Sequence, residues 1–229
     1  MSTPRIAVVI PALDEEASIE AVVRSIDRAL VAQIVVGDNG SRDRTAELAR
    51  AAGAEVVVEP DRGYGAACAA AIGRLDTATE IVVFMDADAS DDPSEMHLLV
   101  SPIASGRADL VIGSRVLGRV ERGAMTPPQR FGNWLATRLI LVFHRHRYTD
   151  LGPYRAIRKS LLDEIAMRDR RFGWTVEMQV RALQLGARVV EVPATYRKRA
   201  GRSKISGTLG GVAKAGFWIL FTIFRCLRR

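Results

Sequence analysis

The sequence predicts an α/β fold built on a mostly parallel sheet with helices on both faces. Apolar runs rich in valine and isoleucine alternate with segments of helical periodicity through the first half of the chain, which is typical of such sheets. Polar clusters follow the successive runs, and ligands bind beyond the carboxyl ends of parallel strands. Since 229 residues suffice for one buried core, we expect one α/β domain with a ligand site at that edge.

The first half of the chain predicts five strands and three helices. β-Branched apolar runs indicate the strands, and apolar residues that recur every three or four positions indicate the helices. The predicted strands cover residues 6–10, 33–36, 55–58, 81–85 and 109–113. The predicted helices cover about 15–30, 43–52 and 66–75.

The second half of the chain is less regular. Glycine, prolines and charges within residues 118–129 predict a mobile loop. Helices are predicted at 133–143, 161–167 and 175–185, and a strand at 188–192. The sequence divides into a domain of residues 1–204 and a C-terminal helix within residues 205–229.

The C-terminal stretch combines positive charge with aromatic residues. Residues 193–229 contain nine arginines and lysines and no aspartate or glutamate, in a chain of net charge +7. Its uncharged run, 215–224, is shorter than the about 20 residues that a membrane-spanning helix needs. We expect an interfacial helix on an anionic membrane surface. The alternative is a helix docked on the domain or on a dimer partner, and the oligomeric state stays open.

Cysteine usage and the N-terminus indicate the compartment. Cys68 and Cys226 lie far apart and match no metal or redox spacing. The chain runs directly into a predicted strand, without a signal peptide. Both features favour a reducing cytoplasm, so we expect a peripheral protein on the inner face of the cell membrane.

An acidic triplet follows the apolar run 81–85. In extended geometry, Asp86 and Asp88 would lie on the same side of the chain. Two carboxylates in apolar surroundings repel each other unless a cation lies between them. A hard divalent ion that bridges them to a diphosphate would relieve this repulsion. The triplet therefore predicts a nucleotide-diphosphate substrate with Mg²⁺ or Mn²⁺.

A glycine-rich segment, residues 63–68, opens the third predicted helix. Cys68 replaces the third glycine of a dinucleotide-binding fingerprint, and the first strand is not followed by glycines. A Rossmann cofactor site is therefore not expected. The helix N-terminus is instead expected near a phosphate or ribose.

Several segments, in this order, resemble glycosyltransferase family 2. They cover residues 11–16, 37–45, 62–67, 86–88 and 113–115. A later segment, 203–208, is similar to that of the polyprenyl- or dolichyl-phosphate hexosyltransferases of this family. The resemblance covers nearly the whole chain. It implies a GT-A fold, a nucleotide-sugar donor, a divalent metal and transfer with inversion.

The resemblance also implies roles for individual residues of the donor site. Asp38 would hold the base, Asp86 would approach the ribose or diphosphate, and Asp88 would be the principal metal ligand beside Asp86. Ser90 stands where mannosyltransferase relatives often have a glutamine near the metal. The residues expected to bind the donor nucleotide are Pro11, Ala12, Asp14, Glu15, Asp38, Gly65 and Asp86.

The acceptor decides which further groups are needed. A phosphomonoester has a second pKa of about 6 and needs no protein base, whereas a hydroxyl acceptor does. Glu177 would be the base for a hydroxyl acceptor or would anchor an arginine, and a phosphate acceptor favours the anchoring role. Asp150 would bind the sugar or fix the sheet. The residues expected to hold an acceptor phosphate are Arg115 foremost, with Arg130, Arg199 and Lys204.

The sequence thus predicts transfer of a hexose from a GDP- or UDP-sugar to a polyprenyl phosphate at the cytoplasmic membrane surface. Asp88 and Arg115, with Glu177 in the hydroxyl-acceptor alternative, are the expected catalytic residues. One alternative is a family 2 enzyme with a soluble or hydroxyl acceptor. Another is a non-enzymatic protein that binds anionic membrane or nucleic acid through its basic tail. Carboxylates at successive strand ends disfavour polyanion binding, so we expect no nucleic-acid partner.

Overall fold

The computed structural model describes residues 4–201 and 209–226. One seven-stranded sheet runs through the described chain in the order β3-β2-β1-β4-β6-β5-β7. Its strands are β1 (Ile6–Ala12), β2 (Gln33–Asp38), β3 (Glu55–Val58), β4 (Ile81–Phe84), β5 (Leu110–Ser114), β6 (Arg155–Arg158) and β7 (Val189–Pro193). The predicted α/β class with a mostly parallel sheet is confirmed.

Helices cover both faces of the sheet, because the strands are apolar on both sides. The helices are α1 (Ile19–Ser25), α2 (Thr45–Ala51), α3 (Tyr64–Ile72), α4 (Met96–Ala104), α5 (Pro127–His144), α6 (Lys159–Ile165), α7 (Trp174–Gln184) and α8 (Leu209–Cys226). Helices α1, α2 and α4 contribute to one buried core cluster. Helices α3, α5, α6, α7 and α8 contribute to the other.

Strand β6 is the exception to parallel pairing, and the sequence did not predict it. It runs antiparallel to both β4 and β5. Its first residue, Arg155, is only 1% exposed, and this charge interrupts the apolar pattern that identifies a buried strand. The terminal nitrogens of Arg155 donate to backbone carbonyls, among them those of Thr175 at 2.8 Å and Leu151 at 3.3 Å.

Two helices, α4 and α5, depart from the sequence prediction. Helix α4 was not predicted. Helix α5 begins at Pro127, inside the stretch predicted as a loop. A capping box explains this start, because the Thr126 and Gln129 side chains each take a backbone N–H of the first turn. The remaining loop, 115–126, is tied to the segment after β7 by a bridge between Val120 and Tyr196.

The C-terminal helix α8 docks on the domain, which was the alternative interpretation of the sequence. It packs on α5 and α7 and buries Thr222, Ile223 and Cys226. No helix in the described part of the chain is long and apolar enough to span a membrane. The division of the sequence at residue 204 stays a prediction.

Candidate donor site

A cavity of about 310 Å³ opens beyond the carboxyl ends of β1, β2 and β4. Its lining includes three arginines and three carboxylates as well as aromatic and small apolar side chains. The lining residues are Pro11, Ala12, Leu13, Glu15, Asn39, Arg62, Gly63, Tyr64, Ala67, Asp86, Ala87, Asp88, Arg171, Phe172 and Arg199. A mixed lining of this kind suits a ligand that carries both a flat apolar ring and negative charge.

Asp86 and Asp88 both line this cavity, although neither lies in the extended strand that the sequence predicted. Strand β4 ends at Phe84, and the Asp86 amide donates to the Asp91 carboxylate at 3.0 Å. The chain therefore turns away from the sheet at Asp86. The turn, and not strand alternation, brings the two carboxylates to one cavity.

The loop after Asp88 has a strained and closely tied backbone. Ala89 has φ of 62°, in the left-handed region that alanine rarely adopts. The Ser90 amide donates to Asp88 at 3.0 Å. The carbonyls of Asp88 and Ser90 each accept from the segment after β7, at Ala200 and Arg197. These bonds fix the Asp88 carboxylate and bring the segment that carries Arg199 over the cavity.

Arg199 lies between the acidic side chains of the cavity. Its guanidinium is 2.9 Å from the Glu15 carboxylate and 3.3 Å from the Asp88 carboxylate. The sequence analysis assigned Arg199 to the acceptor phosphate and Glu15 to the donor nucleotide. The structure brings both residues to the same cavity as Asp88.

Burial and mutual repulsion act on the carboxylates around Asp88. Burial is the main cause that raises the pKa of Asp86 well above its ordinary value, and the charges of Asp88 and Asp91 raise it further. Burial, together with the charge of Asp88, raises the pKa of Asp91 to about 7. Both shifts have burial as their main cause, and repulsion between neighbouring carboxylates adds to it. A cation bound at this position would reverse the balance.

The carboxylates of the cavity suit a divalent ion that also binds a ligand. Within the described residues there is no group of three or more His, Cys, Asp or Glu side chains that would enclose a metal. Mg²⁺ is commonly held by one or two carboxylates plus the phosphates of a substrate and water. Asp86 and Asp88 supply such a pair, and a cation would relieve the repulsion between them.

Asp14 and Asp38 do not line the cavity. The amide of Ser41 donates to Asp38 at 3.2 Å, and the amide of Arg42 donates to Asp14 at 2.7 Å. Asp38 is also only 3% exposed. In the structure both carboxylates shape the turn after β2, beside the cavity wall.

Close packing requires glycine at position 65. The first turn of α3 binds protein backbone, whereas the sequence predicted a phosphate or ribose near it. The amides of Gly65 and Ala66 donate to the carbonyls of Arg171 and Arg170 at 3.2 and 3.0 Å. A Cβ on Gly65 would lie 2.1 Å from the carbonyl oxygen of Asp169. These two amides therefore bind protein backbone and not a phosphate.

Arg115 is engaged by Asp150. Its Nε and one terminal nitrogen donate to the two oxygens of the Asp150 carboxylate at 2.7 and 2.6 Å. Asp150 is fully buried, and the Arg115 guanidinium lies 5.1 Å from the ring centre of Tyr196. Asp150 thus fixes the structure, one of its two expected roles. Arg115 does not line the cavity.

Glu177 is not placed as a base. Its side chain is fully buried, and it accepts the amides of Arg168 at 3.0 Å and Asp169 at 2.6 Å. Its carboxylate also pairs with Arg181 at 2.9 Å. The structure places Glu177 in the anchoring position that a phosphate acceptor favours, and Glu177 does not line the cavity.

Two further residues, Arg130 and Lys204, were expected to hold an acceptor phosphate. Arg130 is exposed on the first turn of α5 and does not line the cavity. Lys204 and the whole of segment 203–208 lie outside the described residues.

Sequence reasoning missed several residues of the cavity wall. Asn39 donates to the carbonyls of Glu59 and Asp61 and accepts the Gly63 amide at 2.7 Å, which joins β2 to α3. Arg171 and Phe172 come from a turn far along the chain, and no motif marks them. Topology alone brings this turn to the end of α3.

Comparison with known proteins places this site in a family. Residues 7–166 match the model of glycosyl transferase family 2. The chain belongs to this family. An uncharacterized glycosyltransferase of Mycobacterium tuberculosis is 40% identical over 222 residues, with 95% of this chain and 98% of that protein covered. The chain is therefore a family 2 glycosyltransferase, as its sequence motifs predicted.

A named relative and a solved structure carry the comparison further. A dolichyl-phosphate hexose transferase of Haloferax volcanii is 35% identical, with 91% of this chain and 90% of that protein covered. Glucosyl-3-phosphoglycerate synthase of Mycobacterium tuberculosis, solved with Mn²⁺, UDP and phosphoglyceric acid, has a TM-score of 0.79 at 25% identity. That match covers 98% of this chain and 78% of the solved chain. The GT-A fold is thereby confirmed.

Proposed function

We propose that this glycosyltransferase moves a hexose from a UDP- or GDP-sugar to a polyprenyl phosphate at the cytoplasmic surface of the membrane. The observation that carries the donor half is the meeting of Asp86 and Asp88 with three arginines in one cavity. Arginines match diphosphate oxygens, and the two carboxylates would share Mg²⁺ or Mn²⁺ with them. The Mn²⁺ and UDP of the glucosyl-3-phosphoglycerate synthase structure support this assignment.

The acceptor half rests on the position of Glu177, the base expected for a hydroxyl acceptor. Glu177 is buried in ion pairs and away from the cavity. A phosphate acceptor needs no such base, because it is largely a dianion at pH 7. The bound metal would act as a Lewis acid on the leaving diphosphate. Arg199, beside Asp88, is the arginine best placed to draw an acceptor phosphate toward the donor.

The proposed location at the membrane rests on the surface formed by α5 and α8. All exposed phenylalanine and tryptophan side chains of the described chain lie on these two helices: Phe131, Trp134, Phe143, Phe217, Phe221 and Phe224. Neither helix contains an aspartate or glutamate. The outer face of α5 and the loop after it also expose Arg130, Arg138, Arg145 and Arg147. Exposed aromatic and basic side chains on two helices that pack together suit an anionic lipid surface.

The test is product formation from defined donors. Purified protein is incubated with Mn²⁺, undecaprenyl phosphate and radiolabelled UDP-glucose or GDP-mannose, and label is extracted into organic solvent. We expect lipid-linked sugar from one donor, and none after Asp88→Asn or with EDTA. Asp163→Asn is the matched control and keeps wild-type activity, because Asp163 is an exposed aspartate of α6 that does not line the cavity.

Three outcomes would contradict parts of the proposal. Sugar transferred only to a water-soluble hydroxyl compound would overturn the lipid-phosphate acceptor. Wild-type activity in Asp88→Asn would overturn the donor site. Salt-sensitive binding to anionic vesicles without turnover of any donor would favour the non-enzymatic alternative.

A further inference from the structure

A short turn before α7, residues 169–173, forms one wall of the donor cavity. Arg171 and Phe172 line the cavity from this turn. One oxygen of the Asp169 carboxylate accepts the amides of Arg171 at 2.7 Å and Gly173 at 3.2 Å. The Asp169 carboxylate therefore sets the shape of the turn, and with it the positions of the two lining side chains.

Helix α8 holds the other oxygen of the same carboxylate. The Thr222 hydroxyl donates to it at 3.0 Å, and Arg225 lies 3.4 Å from it. A Cβ on Gly173 would lie 2.1 Å from the Thr222 hydroxyl oxygen, so the turn and α8 touch closely. Asp169 is 3% exposed and is thus bound on one side by its own turn and on the other by α8.

A second contact joins α8 directly to a cavity residue. The Arg171 guanidinium lies 5.6 Å from the ring centre of Trp218, within the range of a cation–π interaction. Trp218 and Thr222 are four positions apart, so they lie on the same face of α8. One face of α8 therefore contacts both the carboxylate that shapes the turn and the arginine that the turn presents.

Thr222 can be replaced without changing the charge balance of this cluster. Asp169 and the buried Glu177 face Arg181 and Arg225, so the charges are already paired. The Thr222 hydroxyl adds a neutral donor whose loss leaves the charge count unchanged. Replacing Thr222 thus tests geometry without adding a buried unpaired charge.

We propose that α8 positions the wall of the donor cavity, with Thr222, Arg225 and Trp218 as positioning residues that hold Arg171 and Phe172 in their binding arrangement. The identity of the ligand rests on the proposed function, but the coupling itself does not. Without these contacts the turn opens more often, and ligand binding must then reorder it, which lowers affinity.

The experiment compares Thr222→Val with two controls. Thr222→Ser keeps the hydroxyl. Thr137→Val makes the same change at a buried threonine of α5 whose hydroxyl bonds only the carbonyl of Trp134 in its own helix. Hydrogen exchange of the Arg171 and Gly173 amides is measured without ligand, and the Kd values of UDP and GDP with Mn²⁺ are measured by calorimetry.

Loss of a hydrogen bond to a charged group predicts about tenfold faster exchange of both amides in Thr222→Val, and about five- to tenfold weaker binding of the nucleotide that the wild type binds. Thr222→Ser and Thr137→Val should stay within about twofold of wild type. Unchanged exchange in Thr222→Val, or equal change in Thr137→Val, would overturn the coupling. If Thr222→Val does not fold, Arg225→Met is measured in the same way, since Arg225 is part-exposed. A wild type that binds neither nucleotide would refute the proposed function, while exchange would still decide the coupling.

Discussion

Replacing Arg115 by methionine is expected to destabilise the fold by about 3 kcal/mol or more, because it leaves a buried carboxylate without its cation. The affected carboxylate is that of Asp150, which is fully buried, while the Arg115 side chain is 14% exposed. The sequence assigned Arg115 to the acceptor phosphate. The structural role and the acceptor role predict different results for the same substitution.

The magnitude follows from the two bonds that are lost. Each charge-assisted hydrogen bond between Arg115 and Asp150 contributes about 1.5–3 kcal/mol. The Asp150 carboxylate keeps the amides of Arg115 and Leu151, both at 2.8 Å, so we expect the lower end of the summed range, about 3 kcal/mol. Asp150→Asn should cost about 2 kcal/mol, because Arg115 keeps an oxygen acceptor and part of its exposure.

A double-mutant cycle measures the interaction directly. The free energies of unfolding of the wild type, Arg115→Met, Asp150→Asn and the double variant are obtained from urea titrations. The double variant should cost less than the sum of the single ones by about 2 kcal/mol. A coupling energy below about 0.5 kcal/mol would refute the reasoning. So would an Arg115→Met variant of wild-type stability whose KM for the lipid phosphate is raised, a result that would instead support the acceptor role.

Three further predictions concern other parts of the molecule. Glu177→Gln should lower the free energy of unfolding by about 2–3 kcal/mol while kcat of the folded protein stays within about twofold; a collapse of kcat in well-folded protein would favour a base. Hydrogen bonds from Arg188 lower the pKa of Asp109 to about 2, so its stabilisation is present above pH 4 and lost as pH falls toward 2. Asp109→Asn should therefore lower the free energy of unfolding by about 1 kcal/mol at pH 7, after allowance for solvent screening. In urea titrations, the difference in this free energy between wild type and variant should become smaller below pH 4. Gly65→Ala should cost more than about 3 kcal/mol or prevent folding, because its Cβ would lie 2.1 Å from a carbonyl oxygen; a Tm within a few degrees of wild type would contradict the packing.

The sequence predicted the parallel half of the sheet well because its signals are local. Strands β1 to β5 are β-branched apolar runs, and each predicted run overlaps the observed strand. The same kind of argument could not find β6, because the buried charge of Arg155, whose terminal nitrogens donate to backbone carbonyls, breaks the apolar pattern. One of these carbonyls, that of Thr175, lies on a different element 20 residues later, and such a contact leaves no local signal.

In the candidate site, too, local signals were predicted correctly and contacts between distant residues were not. Pro11, Glu15, Asp86 and Asp88 lie near strand ends, where sequence reasoning looks for ligands, and all four line the cavity. Arg115 also follows a strand end, yet Asp150, which comes far later in the chain, takes its guanidinium. Arginines have many possible partners, so sequence position alone could not decide which one faces a ligand.

The close packing around the turn before α7 has a practical consequence for changing which nucleotide the enzyme accepts. A Cβ on Gly63, Gly65 or Gly173 would lie about 2 Å from another atom of the protein, so these positions tolerate no variation. Arg171 and Phe172 stand between them with side chains that face the cavity. A mutant library for altered donor preference should therefore keep the three glycines and randomise those two positions, which concentrates its diversity where folding permits it.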